Sequence, residues 1–328
     1  MLIALFWLIC GFVFLIKGAD FFVEGSSSIA KLLGIPSIII GLTIVALGTS
    51  APETAVSISA GLAGSNGICV GNVVGSNFFN LLVVVGVCAI IRPIKVTDDI
   101  IRRDFPISIA ATIILLGFIY IGREFNLGVN DGFGIAGYSG GILLFLFVLY
   151  IISLVYASLR DRAICEEYKT LSPFKSIFYI VIGIAGIIIG GQLVVDKAQI
   201  IASEFGMSQS LIGLTIVAIG TSLPELVTSI VAAKKGENDM ALGNVIGSNI
   251  FNILFVLGVS AVVNPIDLSA DGVNTFIDIT ILIIVNVLVY LAVLKNNTLR
   301  VKSGLIMILM YLLYTAYILA RNYQMLPF

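Results

Sequence analysis

The chain of 328 residues is 59% hydrophobic and only 11% charged, where a soluble domain carries roughly 25% charged residues. So few charges cannot cover a water-facing surface, which excludes an ordinary soluble fold and leaves an all-α integral membrane protein. A net charge of −1 points to no nucleic-acid partner, and the absence of histidine excludes serine–histidine catalysis and histidine metal sites.

Taken in order, ten apolar stretches lie at about 2–30, 36–61, 68–91, 105–122, 133–158, 176–203, 208–233, 240–263, 274–294 and 302–321, each near the ~20 residues that span a bilayer. Met1–Ile16 has no basic leader and reads as part of the first span. Of the 18 Lys and Arg residues, fourteen fall on one side: Lys31, Arg92, Lys95, Arg102, Arg103, Arg160, Arg162, Lys169, Lys175, Lys234, Lys235, Lys295, Arg300 and Lys302. Arg123 and Arg321 fall on the other, and Lys17 and Lys197 within spans. The positive-inside rule then places a multi-pass protein in the cell membrane with both termini outside and the loop 161–175 in the cytoplasm. The four cysteines, Cys10, Cys69, Cys88 and Cys165, form no CxxC pair, and the three in apolar segments read as small buried hydrophobes.

The sequence repeats itself. Gly41–Glu53 (GLTIVALGTSAPE) matches Gly213–Glu225 (GLTIVAIGTSLPE) at eleven of thirteen positions, and Gly71–Asn80 (GNVVGSNFFN) matches Gly243–Asn252 (GNVIGSNIFN) at eight of ten. The offset is 172 residues in both blocks, without a gap. Two five-span halves follow, residues 1–160 and 176–328, joined by 161–175, with the paired blocks at about 36–91 and 208–263. Five is odd, so the second half enters the membrane inverted, which is the plan of secondary transporters whose sites lie at the midplane where the repeats meet.

The matched blocks are the polar ones. Pro52 and Pro224 lack an N–H, so each span is expected to break near Gly48 or Gly220, with Thr49 or Ser50 capping a new half-helix and carbonyls near Ala46 and Leu47 turned into the gap. Glu53 and Glu225 sit at bilayer depth, where a carboxylate costs about 2.5–3.5 kcal/mol by insertion scales. Converging by symmetry, they supply two negative charges and oxygen ligands, with the hydroxyls of Thr49, Ser50, Thr221 and Ser222 one turn away. That is hard-cation chemistry, and calcium, with 6–8 oxygens in flexible geometry, fits it better than magnesium. Ser76 with Asn80, and Ser248 with Asn252, share a helix face at i, i+4, and glycines 71, 75, 243 and 247 allow close helix approach. Lys17, Asp20, Glu24, Asp196 and Lys197 read as paired or snorkelling charges toward span ends.

On these GTSxPE and GSNxFN blocks the chain resembles the cation/calcium exchanger superfamily, in its prokaryotic sodium/calcium exchanger branch with two alpha-repeats. The resemblance implies ten transmembrane helices as two inverted five-helix repeats, with broken helices 2, 3, 7 and 8 forming an ion-binding core and spans one and six sliding against it. It implies a metal site of Glu53, Glu225, Ser50, Ser222, Thr49, Thr221, Ser76, Ser248, Asn80, Asn252 and the carbonyls of Ala46 and Ala218. It implies no enzyme activity and no cofactor, only transported Ca2+ and Na+, with lipid around an expected monomer. Asparagine at both 80 and 252, where potassium-dependent relatives use aspartate, argues against potassium coupling. The alternative is an H+-coupled Ca2+ or divalent-cation exchanger, with a buried glutamate carrying the proton.

Overall fold

The computed structural model describes residues 2–35, 37–62, 64, 66–124, 133–160, 171–204, 218–268 and 272–322. They form an almost wholly helical bundle. The long elements are α1 (Leu2–Leu33), the bent pair α2 (Ile38–Thr49) and α3 (Ala51–Leu62), α4 (Asn66–Ile91), α5 (Phe105–Glu124), α6 (Gly137–Arg160) and α7 (Pro173–Glu204). They continue as short α8 (Ala218–Thr221), α9 (Leu223–Lys235), α10 (Asn238–Val263), α11 (Gly272–Asn296) and α12 (Val301–Asn322). Among the described residues eight helices are long and apolar enough to cross a membrane, or nine if α2 and α3 make one span. The start of the expected seventh span, residues 208–217, lies outside the described residues, as does 161–170 of the central loop.

Leucine, isoleucine, phenylalanine and valine cover the outer faces of α1, α6, α7, α11 and α12, which is the composition a lipid-facing helix requires. The polar spans are instead wrapped inside: α4 and α10 are the most buried of the long helices.

α1 and α7 lie against each other from Gly11 to Gly25 of α1, and glycine sets the distance. A Cβ on Gly25 would come 2.7 Å from the Ser176 carbonyl, one on Gly18 2.7 Å from the Ile187 nitrogen, and one on Gly11 3.1 Å from the Gly190 carbonyl. Every side chain larger than hydrogen is excluded at these points, the close-approach device of membrane helices. As the residue number falls along α1 it rises along α7, so the two run antiparallel. Gly11 and Gly18 are equivalent by the sequence repeat to Gly183 and Gly190, so equivalent helices of the two halves point in opposite directions. The same device joins α2 to α10, where a Cβ on Gly243 would lie 2.7 Å from the Ile38 carbonyl and one on Gly247 2.8 Å from Leu42.

Four two-residue strands, β1 (Ile94–Lys95), β2 (Gly134–Ile135), β3 (Ile266–Asp267) and β4 (Thr298–Leu299), pair across the halves. β1 pairs with β4 and β2 with β3, both antiparallel. At the β1–β4 end of the bundle Asn238 Nδ2 donates to the Pro93 carbonyl at 3.5 Å, Lys31 Nζ meets Glu237 at 3.2 Å, and the Leu171 amide donates to Ser28 Oγ at 3.2 Å. The connectors that carry most of the basic residues are thereby gathered at one end.

The expected break occurs in the first half as a 51° bend between α2 and α3. Ser50 sits at the corner with φ −82° and ψ 10°, and Ser222 has φ −92° and ψ 4°. One expectation needs correction here. The Ala46 carbonyl is not orphaned, because the Ser50 amide donates to it at 3.0 Å and leaves it one lone pair, while the Ser222 amide turns to Ile219 at 3.2 Å. Ser222 makes no side-chain cap to α9; its hydroxyl is used elsewhere. The expected breaks in the third and eighth spans take a milder form, since α4 and α10 are continuous and absorb a π-helical stretch at Phe79–Val84 and Asn252–Val256. A π-helical turn inserts a residue without interrupting the helix, and such turns concentrate at functional sites.

Candidate ion-binding site

Ser50, at the corner of α2 and α3, and Ser222, between α8 and α9, each reach the glutamate of the other segment inside the bundle. Glu53 enters in the first turn of α3 and Glu225 in the first turn of α9, and both side chains are 0% exposed. A helix N-terminus favours negative charge, which partly offsets burying a carboxylate there. Neither glutamate belongs to an ion pair among the described residues.

Hydrogen bonds run crosswise between the halves. Ser50 Oγ donates to Glu225 Oε1 at 2.9 Å and lies 3.0 Å from Ser248 Oγ. Ser222 Oγ donates to Glu53 Oε1 at 3.1 Å and lies 2.9 Å from Ser76 Oγ. Each carboxylate thus keeps one oxygen in a serine bond, and the other, Oε2 of Glu53 and of Glu225, is buried with no hydrogen-bond partner. A buried carboxylate oxygen left unpaired is costly unless a cation meets it, so the donor set fits a hard cation bound by oxygen.

Thr49 Oγ1 has three acceptors around it: Asn244 Oδ1 at 3.0 Å, Val45 O at 3.1 Å and Ala46 O at 3.4 Å. Thr221 Oγ1 lies 3.3 Å from Asn72 Oδ1. Asn80 is fully buried and neither atom of its carboxamide is hydrogen-bonded, whereas Asn252 Nδ2 donates to Asn77 Oδ1 at 3.2 Å and leaves its own oxygen unpartnered. Both residues stand in the π-helical stretches. The expected serines, glutamates and threonines are therefore gathered in two mirrored hydrogen-bonded sets, one around Glu53 and one around Glu225, and Asn80 is buried without being tied to either. Ala218 opens α8. The bland reading of the other in-span charges suits Asp20, which pairs with Lys235 at 3.3 Å and Lys17 at 4.0 Å, and Asp196, which accepts from Gln192 at 2.8 Å.

Six further buried polar residues surround these groups: Asn72, Asn244, Asn77, Asn249, Ser57 and Ser229. Asn72 Nδ2 donates to Ser57 Oγ at 2.9 Å and to the Glu53 carbonyl at 3.3 Å, and Asn244 repeats this with Ser229 at 2.9 Å and the Glu225 carbonyl at 3.5 Å. Asn77 Nδ2 donates to the Asn249 carbonyl at 3.2 Å while Asn249 Nδ2 donates to the Asn77 carbonyl at 3.4 Å. All six recur at the repeat offset, and an identical polar residue at both copies of an apolar span was the signal that could have singled them out.

A buried network of oxygen ligands around two unpaired carboxylates, enclosed by antiparallel copies of one helical unit, defines a multi-span cation transporter. The family model described as "Sodium/calcium exchanger protein" matches residues 3–156 and 175–320. CaxA of Alkalimonas amylolytica is 46% identical over 283 residues, covering 84% of this chain and 86% of its own length. The sodium/calcium exchanger MaX1 of Methanosarcina acetivorans is 34% identical, covering 93% of this chain and 95% of its own. The solved structure of the sodium-calcium exchanger NCX_Mj superposes with a TM-score of 0.81 at 32% identity, covering 96% of this chain and 98% of that one. The chain belongs to the sodium/calcium exchanger family. It is a membrane antiporter and not an enzyme.

Proposed function

We propose that the chain exchanges Na+ for Ca2+ by alternating access, electrogenically and without potassium, as ten spans in two inverted repeats whose second, third, seventh and eighth spans form the ion-binding core. Glu53, Glu225, Ser50, Ser222, Ser76, Ser248, Thr49, Thr221, Asn80 and Asn252, with the carbonyls of Ala46 and Ala218, are the ligands. The observation that carries this reading is the pair of unpartnered carboxylate oxygens, each presented by a helix start and steadied by a serine of the opposite repeat.

The mechanism follows from charge. Two carboxylates about 4 Å apart repel by about 4 kcal/mol at an effective dielectric of 20. That repulsion opposes closing the ion-free carrier, and one calcium or several sodium ions removes it. The carrier crosses only when loaded, so transport is coupled exchange rather than leak. Amides at 80 and 252 add no third charge, which supports a site balanced without potassium. The gathering of basic connectors at one end supports a cytoplasmic assignment for that end, with both termini outside.

Labelled-calcium uptake into sodium-loaded liposomes tests the proposal. Uptake that requires the sodium gradient, proceeds without potassium and responds to membrane voltage is the expected result. Uptake driven by a pH gradient with no sodium present would make protons the counter-ion instead, and no uptake under any gradient would end the reading.

A further inference from the structure

We propose that Asn72 and Asn244 are positioning residues that orient the hydroxyls of Thr221 and Thr49 for sodium, each reaching across from the other repeat. The inference rests on the exchange reading above and assigns a role to two residues outside its ligand set. Each carboxamide has its ends fixed by its surroundings. The Asn72 nitrogen is spent on Ser57 Oγ and the Glu53 carbonyl, and the Asn244 nitrogen on Ser229 Oγ and the Glu225 carbonyl, all within its own repeat. The oxygen is therefore turned outward, and there it meets the threonine of the opposite repeat.

An amide oxygen accepts only, so the threonine must supply the proton. With the Thr49 proton directed to Asn244 rather than to the competing Val45 and Ala46 carbonyls, the lone pairs of Oγ1 remain for a cation. Without that acceptor the proton turns to a carbonyl of the preceding turn, and the lone pairs turn with it. The oxygens at this position carry no formal charge. A divalent ion takes most of its binding energy from the two carboxylates, so a misdirected neutral oxygen weakens sodium more than calcium. The same carboxamide also grips the carbonyl of the glutamate beside it. One residue thereby couples the acidic helix start of its own half to the hydroxyl corner of the other. Aspartate in its place would forfeit both donated bonds and bury a further negative charge.

The test compares wild type with Asn72→Ala, Asn244→Ala, Thr221→Val and the double variant Asn72→Ala/Thr221→Val, purified in detergent. Melting is followed while Na+ or Ca2+ is titrated, a readout that does not depend on transport. The concentration of sodium giving half-maximal stabilisation is expected to rise about fivefold to tenfold in Asn72→Ala and Asn244→Ala, the worth of one hydrogen bond, with calcium shifted far less. Adding Asn72→Ala to Thr221→Val is expected to change sodium no further, because the two act as one unit. An unchanged sodium midpoint with a lower ion-free melting temperature would make the asparagines merely structural and overturn the inference, as would additive effects. If the alanine variant fails to fold, Asn72→Ser supplies the same comparison. A wild type that exchanges and is stabilised by sodium, beside an unaffected Asn72→Ala, sinks the inference alone; a wild type that sodium does not stabilise sinks the exchange reading with it.

Discussion

Ser50 and Glu225 stand 175 residues apart in the chain and meet at 2.9 Å, the serine hydroxyl donating to the carboxylate in a fully buried setting. The contact makes each acidic group dependent on the repeat that does not contain it. A hydrogen bond to a charged group contributes about 1.5–3 kcal/mol, so Ser50→Ala is expected to raise the calcium concentration for half-maximal uptake by roughly tenfold to a hundredfold. Ser50→Thr, which keeps the hydroxyl, is expected to do far less. Uptake titrated against external calcium checks both.

Glu53→Gln and Glu225→Gln are expected to abolish sodium-driven calcium uptake and also to raise the ion-free melting temperature. The second effect follows because each variant removes one of two buried like charges that no basic group among the described residues pairs with. Wild type, by contrast, is expected to gain about 2.7 kcal/mol from calcium at a hundred times its Kd, a gain the variants lose. Calcium-dependent melting curves measure both. An ion-free variant that melts below wild type would show that the carboxylates are structural.

Gly18→Val is expected to destroy the α1–α7 contact, since its first carbon alone would sit 2.7 Å from backbone. Gly141→Ala, on an exposed stretch of α6 with nothing within 4 Å of the new carbon, is expected to fold normally. Yield and monodispersity after detergent extraction separate the two.

Lys31 with Glu237, and Lys235 with Asp20, fasten α1 to the α9–α10 connector and the end of α9, at 3.2 Å and 3.3 Å. Residues at the repeat-equivalent positions are Ser203, Ser65, Ala63 and Gln192, which cannot form the pairs. The fastening is therefore one-sided, and under the alternating access proposed above it is expected to favour one of the two states. Partly exposed pairs contribute up to about 1 kcal/mol each, so Glu237→Lys is expected to shift the balance of states by several-fold and Lys31→Glu in the same chain to restore it. Alkylation rates of single cysteines placed on either face read the shift, which should shrink as salt is raised.

The repeat, the acidic pair and the serines beside it were legible in the sequence because a polar residue at membrane depth is costly, and a scaffold duplicated for packing alone gains nothing by keeping it twice. Asn72 and Asn77 lay in full view inside the matched block, but nothing in one dimension tells a carboxamide that binds an ion from one that turns a neighbour's hydroxyl. Ser57 and Ser229 lie outside the two matched blocks, so their recurrence at the repeat offset was the one signal they carried. The π-helical stretches are set by packing, with no glycine or proline to announce them. The expectation of a released Ala46 carbonyl failed because Pro52 removes a donor at its own position only, and the Ser50 amide still reaches back one turn. The Lys31–Glu237 pair was hidden for the opposite reason, since it has no counterpart in the other half.

The short strands carry a consequence for how such a molecule can be assembled. Residues 94–95 and 134–135 belong to one half, 266–267 and 298–299 to the other, and each finds its mate only in the opposite half. A half-length chain would own one strand of each clasp and be able to close neither. Two such chains laid head to tail would complete each other at both ends, so co-expressed halves should reunite without the tether that joins them.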